Sequence, residues 1–394
     1  MTLYEERMKN LVDATSFREP VKVPTGLEVI YWPFSYAGVR LIDVIDDPPT
    51  AAAAYTKFIN DIEIDFYAMA FAVQHPVRVH DELGSLMYRI ANDGTLIEHT
   101  QVMQEFMKDD EYDELIADLA GFKMEMIRRN FKAFQGTEEE AYEALKRAAA
   151  LMRTHNEMNK LIAKGAEEKE IVSLNGFGAT ATPGAPMFFS PLNSLFDNLR
   201  GMKDTLVDLR RRPDKLREAL EVIKAQPGMP SPPPEVYETR EPIPSAMTVY
   251  HSECFLNNQQ FDEFFFQGFK ETALPYMEKG AKYFLKGEGL FLNTLDRFRE
   301  LPKGSMIIVL DQDDPFEAYK IIGDHATLCT GINTDLLLAG TKQQCIDYVK
   351  RCFDTFAPGG GFIFMPQKPL ISANEVNIEN FIAVYEFANE YGRK

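Results

Sequence analysis

The sequence predicts an α/β protein built as a parallel (β/α)8 TIM barrel with a helical insertion in its N-terminal half, and three observations carry the prediction. Five short apolar runs alternate with helical stretches between Met247 and Pro366, the order of elements that specifies a parallel sheet. These runs are apolar throughout rather than alternating, as expected of strands covered on both faces. The last unit is the clearest: a helical stretch enters Ala357-Pro358-Gly359-Gly360-Gly361, then Phe362-Ile363-Phe364-Met365 ends at Pro366, and an amphipathic helix follows.

Taken in order, residues 4–16 read as a helix, and 21–32 as a first strand whose loop carries the only tryptophan, Trp32. Helices at 39–46 and 49–62 precede a second strand, Phe66 to Val73. From about 80 to 168 apolar residues recur at helical spacing, with a capping box at Thr137 and Glu140, so this segment reads as a helical insertion free of strands. Ile171-Val172-Ser173-Leu174 is the next strand, followed by the Gly176-Phe177-Gly178 loop. That loop has neither the G-x-G-x-x-G nor the G-K-[ST] pattern of a phosphate cradle. Helices at 190–200 and 203–225 follow, and Arg210-Arg211-Arg212 is read as a solvated face at a helix junction. Seven prolines in 227–244 make a stiff, extended connector, taken as a crossover within one domain spanning 1–394. Then come strands at 247–250, 283–285, 306–310, 326–329 and 362–365, with helix caps at Asp314 and Thr341.

Composition bounds the function. A net charge of −18 excludes partners that need a basic face, nucleic acid and anionic membranes among them. No apolar run reaches the roughly 18 residues of a membrane span, the first residues lack a secretory core, and four cysteines without a C-x-x-C pair read as reduced thiols of a cytoplasmic protein.

Barrels place their chemistry just beyond the carboxyl ends of the strands. The polar and aromatic residues there are Trp32, Asn175, His251, Glu253, Lys286, Glu288, Asp311, Asp313, Asn333, Gln367 and Lys368. His251/Glu253 and Lys286/Glu288 are alternate-residue pairs, whose members lean the same way where strand geometry continues. His251 at such a position is an acid or base, a metal ligand or a structural hydrogen-bonder; Lys286 and Glu288 are either functional or a mutual ion pair. His75 and His80 flank Pro76 in a loop near the same mouth, while His99, His155 and His325 read as helix or turn residues.

The stretches Gly331-Ile332-Asn333-Thr334-Asp335, Ala357-Pro358-Gly359-Gly360-Gly361-Phe362 and Asn377-Ile378-Glu379-Asn380, with Glu6-Arg7-Met8 and Pro20-Val21-Lys22-Val23-Pro24 near the start, resemble the uroporphyrinogen decarboxylase superfamily. Leu199-Arg200-Gly201-Met202-Lys203 is similar to its corrinoid-dependent methyltransferase branch. The resemblance implies a (β/α)8 barrel. The arginine-rich porphyrinogen motif of the decarboxylases is replaced by Tyr31-Trp32-Pro33-Phe34-Ser35-Tyr36. Where the zinc-dependent thiol methyltransferases carry His-x-Cys and a later cysteine, this chain matches with Lys286-Gly287-Glu288 and Gly360, so zinc is not expected there and no metal ligand is assigned.

What the resemblance then implies is a methyltransferase that moves a methyl group from an aryl methyl ether to cobalamin on a separate corrinoid-binding protein. His251, Glu253, Lys286, Glu288 and Asp311 are its candidate catalytic groups; Tyr31, Trp32, Phe177, Asn175, Asn333, Gln367 and Lys368 are its candidate substrate or cofactor contacts. A lyase of the same fold acting on a smaller carboxylic acid and a non-catalytic corrinoid- or tetrapyrrole-binding barrel are the alternatives, and a homodimer is left open.

Overall fold

A computed structural model describes residues 1–68, 71–100, 103–173, 187–226, 233–239, 244–372 and 374–393. Its strands are β1 (Gly26–Leu27), β2 (Phe66–Tyr67), β3 (Tyr88–Ile90), β4 (Ile97–His99), β5 (Val172–Ser173), β6 (Met187–Phe188), β7 (Pro244–Tyr250), β8 (Lys282–Gly287), β9 (Met306–Val309), β10 (Thr327–Thr330) and β11 (Phe362–Phe364). β6 to β11 form one parallel sheet in sequence order, and β1, β2 and β5 form a second, also parallel. Parallel bridges at Thr25–Phe364 and Val29–Leu370 join them through β11 and β1. The architecture is therefore α/β with a parallel sheet.

Period-two alternation sorts the strands' side chains. Tyr283, Leu285, Met306, Ile308 and Leu328 face the helices in one core cluster. Their neighbours Phe284, Ile307, Val309 and Cys329 belong to another, with Ile363, Phe66 and Val172. Phe66 and Val172 come from β2 and β5, far along the ladder from β8, so the sheet curls around a shared interior. The segment between β5 and β6, 174–186, lies outside the described residues.

The amino-terminal end of this interior is plugged. Helix Leu3–Thr15 sends Leu11 and Ala14 into it. Lys282 donates to the Thr15 carbonyl, and at 3.2 Å each to the Ser16 hydroxyl and the Gly304 carbonyl. Buried Asp65 binds Arg7 at 3.2 Å and Lys22 at 2.9 Å. Each buried charge here has partners.

The insertion differs from its helical expectation. It opens with an antiparallel hairpin, Tyr88 opposite His99 and Ile90 opposite Ile97, before helices Tyr112–Ala117, Leu119–Asn130 and Glu138–Glu168. Three-residue strands are too short to show a period that competes with the helical signal around them. The capping box at Thr137 forms. Arg212 pairs with Asp109 and Asp208, tying the arginine run to the insertion rather than leaving it all to solvent. In the proline-rich connector, the described part Pro234–Thr239 is a 3-10 helix, not an extended spacer. Phe66–Tyr67 is much shorter than the strand expected to reach Val73. Trp32 belongs to a short helix, Trp32–Tyr36, with Pro33 in its first turn, where proline's fixed φ favours a helix start.

Among the described residues no helix is long and apolar enough to cross a membrane. All four cysteines are free, Cys254 being half-buried and the other three buried.

Candidate active site

The strand-end residues continue the interior row of side chains. After Phe284 the row reaches Lys286 and Glu288; after Ile307 and Val309 it reaches Asp311; after Ile363 and Met365 it reaches Gln367. One spacing rule thus aims side chains from three strands into a single mouth.

Lys286 does not pair with Glu288. Its ammonium donates to Glu28, which follows β1 across the interior, in an ion pair buried at the Glu28 end and partly exposed at the lysine. Burial opposes the lysine's charge, but Glu28, helped by Glu288 and Asp311, outweighs it and holds Lys286 above its ordinary range. Glu288 turns instead to His251, its Oε2 lying 2.6 Å from Nδ1. The other ring nitrogen, Nε2, is 3.1 Å from Oδ1 of Asp197. Asp197 and then Glu288 overcome partial burial and raise the imidazole to about 10, so it is an imidazolium at neutral pH, clamped between two carboxylates. Burial by itself would raise Glu288; His251 and Lys286 reverse that and keep it ionised below the usual range.

Glu253 departs from the lean expected of the His251/Glu253 pair. A 3-10 turn, Ser252–Phe255, carries it inward, where it is fully buried. Its Oε2 accepts the His251 backbone N–H at 2.7 Å, and Oε1 has no hydrogen-bond partner among the described residues; the nearby Ser190 hydroxyl donates to the Phe264 carbonyl at 3.2 Å. Burial pushes the carboxyl up to about 7 against the pull of these neighbours.

A cavity of about 500 Å³ opens beside the clamp, lined by Glu28, Lys286, Glu288, Asp311, Gln367 and Lys368 among others. Asp311 fixes the loop after β8 by accepting the Gly289 N–H at 2.7 Å. Buried Gln367 donates to the Asp313 carbonyl at 2.8 Å. Lys368 has no ion-pair partner among the described residues and is the cavity's second cation. Asp313 is occupied with the Phe291 N–H at 2.8 Å, and burial raises its pKa.

Other candidates are placed elsewhere. Trp32 is 1% exposed and packs against Tyr36, Phe58 and Phe381, so it is a core residue rather than a pocket wall. Tyr31 is buried too, but its hydroxyl finds no partner among the described residues. Asn333 caps helix Thr334–Ala339, accepting the Leu336 N–H at 2.8 Å; its side chain is already used. Asn175 and Phe177 lie outside the described residues. Gly360 stands at the amino end of β11, opposite the mouth, with φ +82° and room for no Cβ, because one would sit 2.5 Å from the Arg18 carbonyl. It therefore cannot match a ligand position beside Lys286 and Glu288; the strand end that faces them carries Gln367.

Two participants have little or no signal in the spacing. Glu28 is a lone charge in the apolar run Leu27-Glu28-Val29-Ile30, a pattern that flags a buried, paired carboxylate. Asp197 sits in a π-helical turn, Leu195–Leu199, whose extra residue re-aims side chains in a way periodicity does not reveal. Among the described residues, no group of three His, Cys, Asp or Glu side chains is placed to hold a metal ion.

No family model and no curated protein matches this sequence. Among solved structures, a methyltransferase from Methanosarcina mazei is similar over 98% of both chains, with a TM-score of 0.53 and 13% sequence identity. That similarity establishes a shared fold along the whole chain.

Proposed function

We propose that this protein is a methyltransferase that removes the methyl group of an aryl methyl ether, with cobalamin on a separate corrinoid-binding protein as the acceptor. The observation that carries the proposal is the His251 clamp. Breaking the bond between the methyl carbon and the ether oxygen leaves the electron pair on a phenolate, which needs a proton. A side chain positioned to donate that proton acts as a general acid, and the imidazolium of His251 carries an N–H on each ring nitrogen. Of its two N–H groups, the one facing Asp197 has the longer contact, 3.1 Å against 2.6 Å to Glu288. The leaving oxygen would take the Nε2 proton in place of Asp197, while Glu288 keeps the ring oriented through Nδ1. The neutral imidazole then recovers a proton from solvent, favoured by both carboxylates.

Exposed apolar side chains on the rim support this choice of acceptor. Phe255, Leu290 and Ile371 are exposed around the strand ends, and together they suit the broad apolar face of a corrin ring. A corrinoid presented there would supply the nucleophile for the methyl carbon. In this reading the curled sheet closes as one (β/α)8-type barrel domain, with Lys286, Glu28 and Asp311 shaping the interior below the reacting atoms and Gln367 and Lys368 forming a wall.

Incubation with a reduced corrinoid protein and a panel of methoxyarenes tests the proposal. Demethylated phenol should accumulate as the corrinoid absorbance changes; no phenol from any donor overturns it. Lys368 favours a second reading, a lyase acting on a small carboxylic acid held by that ammonium. It predicts carbon dioxide release with no corrinoid present.

A further inference from the structure

The hairpin of the insertion carries a feature that the clamp chemistry does not use. His75 stacks on Tyr88 with ring centroids 4.1 Å apart, and Tyr88 stacks on His99, its direct cross-strand partner, at 4.8 Å; both pairs are tilted by 22°. His80 braces the middle ring edge-on at 4.8 Å. The result is a column of three nearly parallel rings. Gln104 holds the edge of the last, its Nε2 lying 2.7 Å from Nε2 of His99.

The column has a direction. His75 at one end is half-buried and is influenced by its burial and by other histidines. Tyr88, the middle ring, also senses the Asp197 carboxylate. His99, at the other end, senses both Asp197 and His251. Geometry places the hairpin on the same side: just beyond it, the Met107 N–H donates to the Leu199 carbonyl at 2.7 Å, tying the segment after His99 to the Leu195–Leu199 turn that carries Asp197. His99 is exposed, and because Tyr88 covers one face, the exposure falls on the other face and the edge. Burial depresses the pKa of both His75 and His99, so at neutral pH the column consists of uncharged aromatic rings. The buried Tyr31 hydroxyl has no hydrogen-bond partner among the described residues.

We propose that the free face of His99 is the ring-binding wall of this site, taking the substrate's aromatic ring as the next member of the His75–Tyr88–His99 column and setting it beside His251. This deepens the aryl-ether reading and rests on it for the ring's substituent. Stacking is selective for flat π-systems, so the wall distinguishes aromatic from saturated rings of the same size.

The test is equilibrium binding of anisole and of methoxycyclohexane to the full chain, measured calorimetrically without corrinoid. Wild type should favour anisole. His99→Ala should weaken anisole roughly three- to tenfold while leaving methoxycyclohexane nearly unchanged, and His99→Phe should restore the preference. Equal binding of anisole by wild type and His99→Ala, an equal loss for both ligands, or no binding of either ring to wild type overturns the proposal. A preference that follows residue 99 in a protein that demethylates no ether would uphold the wall while removing the methyltransferase reading, so the two fail separately.

Discussion

Replacing Glu288 with glutamine tests the clamp where its electrostatics are concentrated. The substitution keeps the shape of the side chain and removes the charge 2.6 Å from His251 Nδ1, leaving Asp197 in place at Nε2. One opposite charge at this range is worth about 1–3 pKa units, so the imidazole should fall from about 10 to between about 7 and 9. The stability consequence has a definite sign. A histidine whose folded pKa is raised contributes stability that is complete below its ordinary value near 6.5 and is lost as pH climbs through the folded value. In wild type that loss extends to about pH 10; in Glu288→Gln it should be finished one to three units earlier. Each unit corresponds to about 1.4 kcal/mol. Because the Glu288 side chain is 41% exposed, solvent screening reduces the expected loss at neutral pH to about 1–2 kcal/mol. Titration of the imidazole Cε1–H signals by NMR, with His251→Gln identifying the resonance among six histidines, gives the pKa directly. Urea unfolding at pH 6, 8 and 10 gives the linked stability. A His251 midpoint that stays near 10 in Glu288→Gln would refute the clamp.

Three further substitutions probe the surroundings. Glu253, raised to about 7 by burial, has the opposite sign from a salt-bridged carboxylate: wild type should lose stability as pH rises from about 4.3 to about 7, and thermal melts of Glu253→Gln should lack that slope. Lys286→Met leaves Glu28, 1% exposed, charged and unpaired, at a cost of about 3–5 kcal/mol; adding Glu28→Gln should recover most of it in a double-mutant cycle read by urea denaturation, and purely additive losses would contradict the pair. Gly360→Ala forces a Cβ toward the Arg18 carbonyl at a positive φ and should cost about 1–3 kcal/mol in thermal unfolding, without altering ligand binding at the mouth.

The fold was legible where one rule acted alone. From β7 to β11, buried strands separated by capped helices appear as apolar runs ending in polar residues, and the interior row Phe284-x-Lys286-x-Glu288 follows from a period of two. Partnership was less legible. Alternate spacing suggests Lys286 with Glu288, but the curl of the sheet brings Glu28 to Lys286 and leaves Glu288 for His251. Asp197 depends on a π turn, and the Tyr88–His99 hairpin is hidden by the helical pattern on either side. Trp32 illustrates the opposite error. An aromatic residue after a strand resembles a pocket wall, yet three neighbouring aromatic rings close over it. Gly360 was misplaced because matching by sequence order ignores which end of a strand a residue occupies.

The Lys286–Glu28 contact joins residues 258 positions apart, and this sets an order of assembly. During synthesis Glu28 leaves the ribosome long before its counter-ion exists, at a few to about 20 residues per second. Until β8 is made, the Glu28 carboxylate must remain hydrated, which keeps β1 from settling permanently against the growing sheet. The long loop that this contact closes carries its entropic cost late. The cavity at the strand ends is thus among the last parts of the molecule to mature, and a chain halted before β8 would hold folded helices around an interior that is still wet.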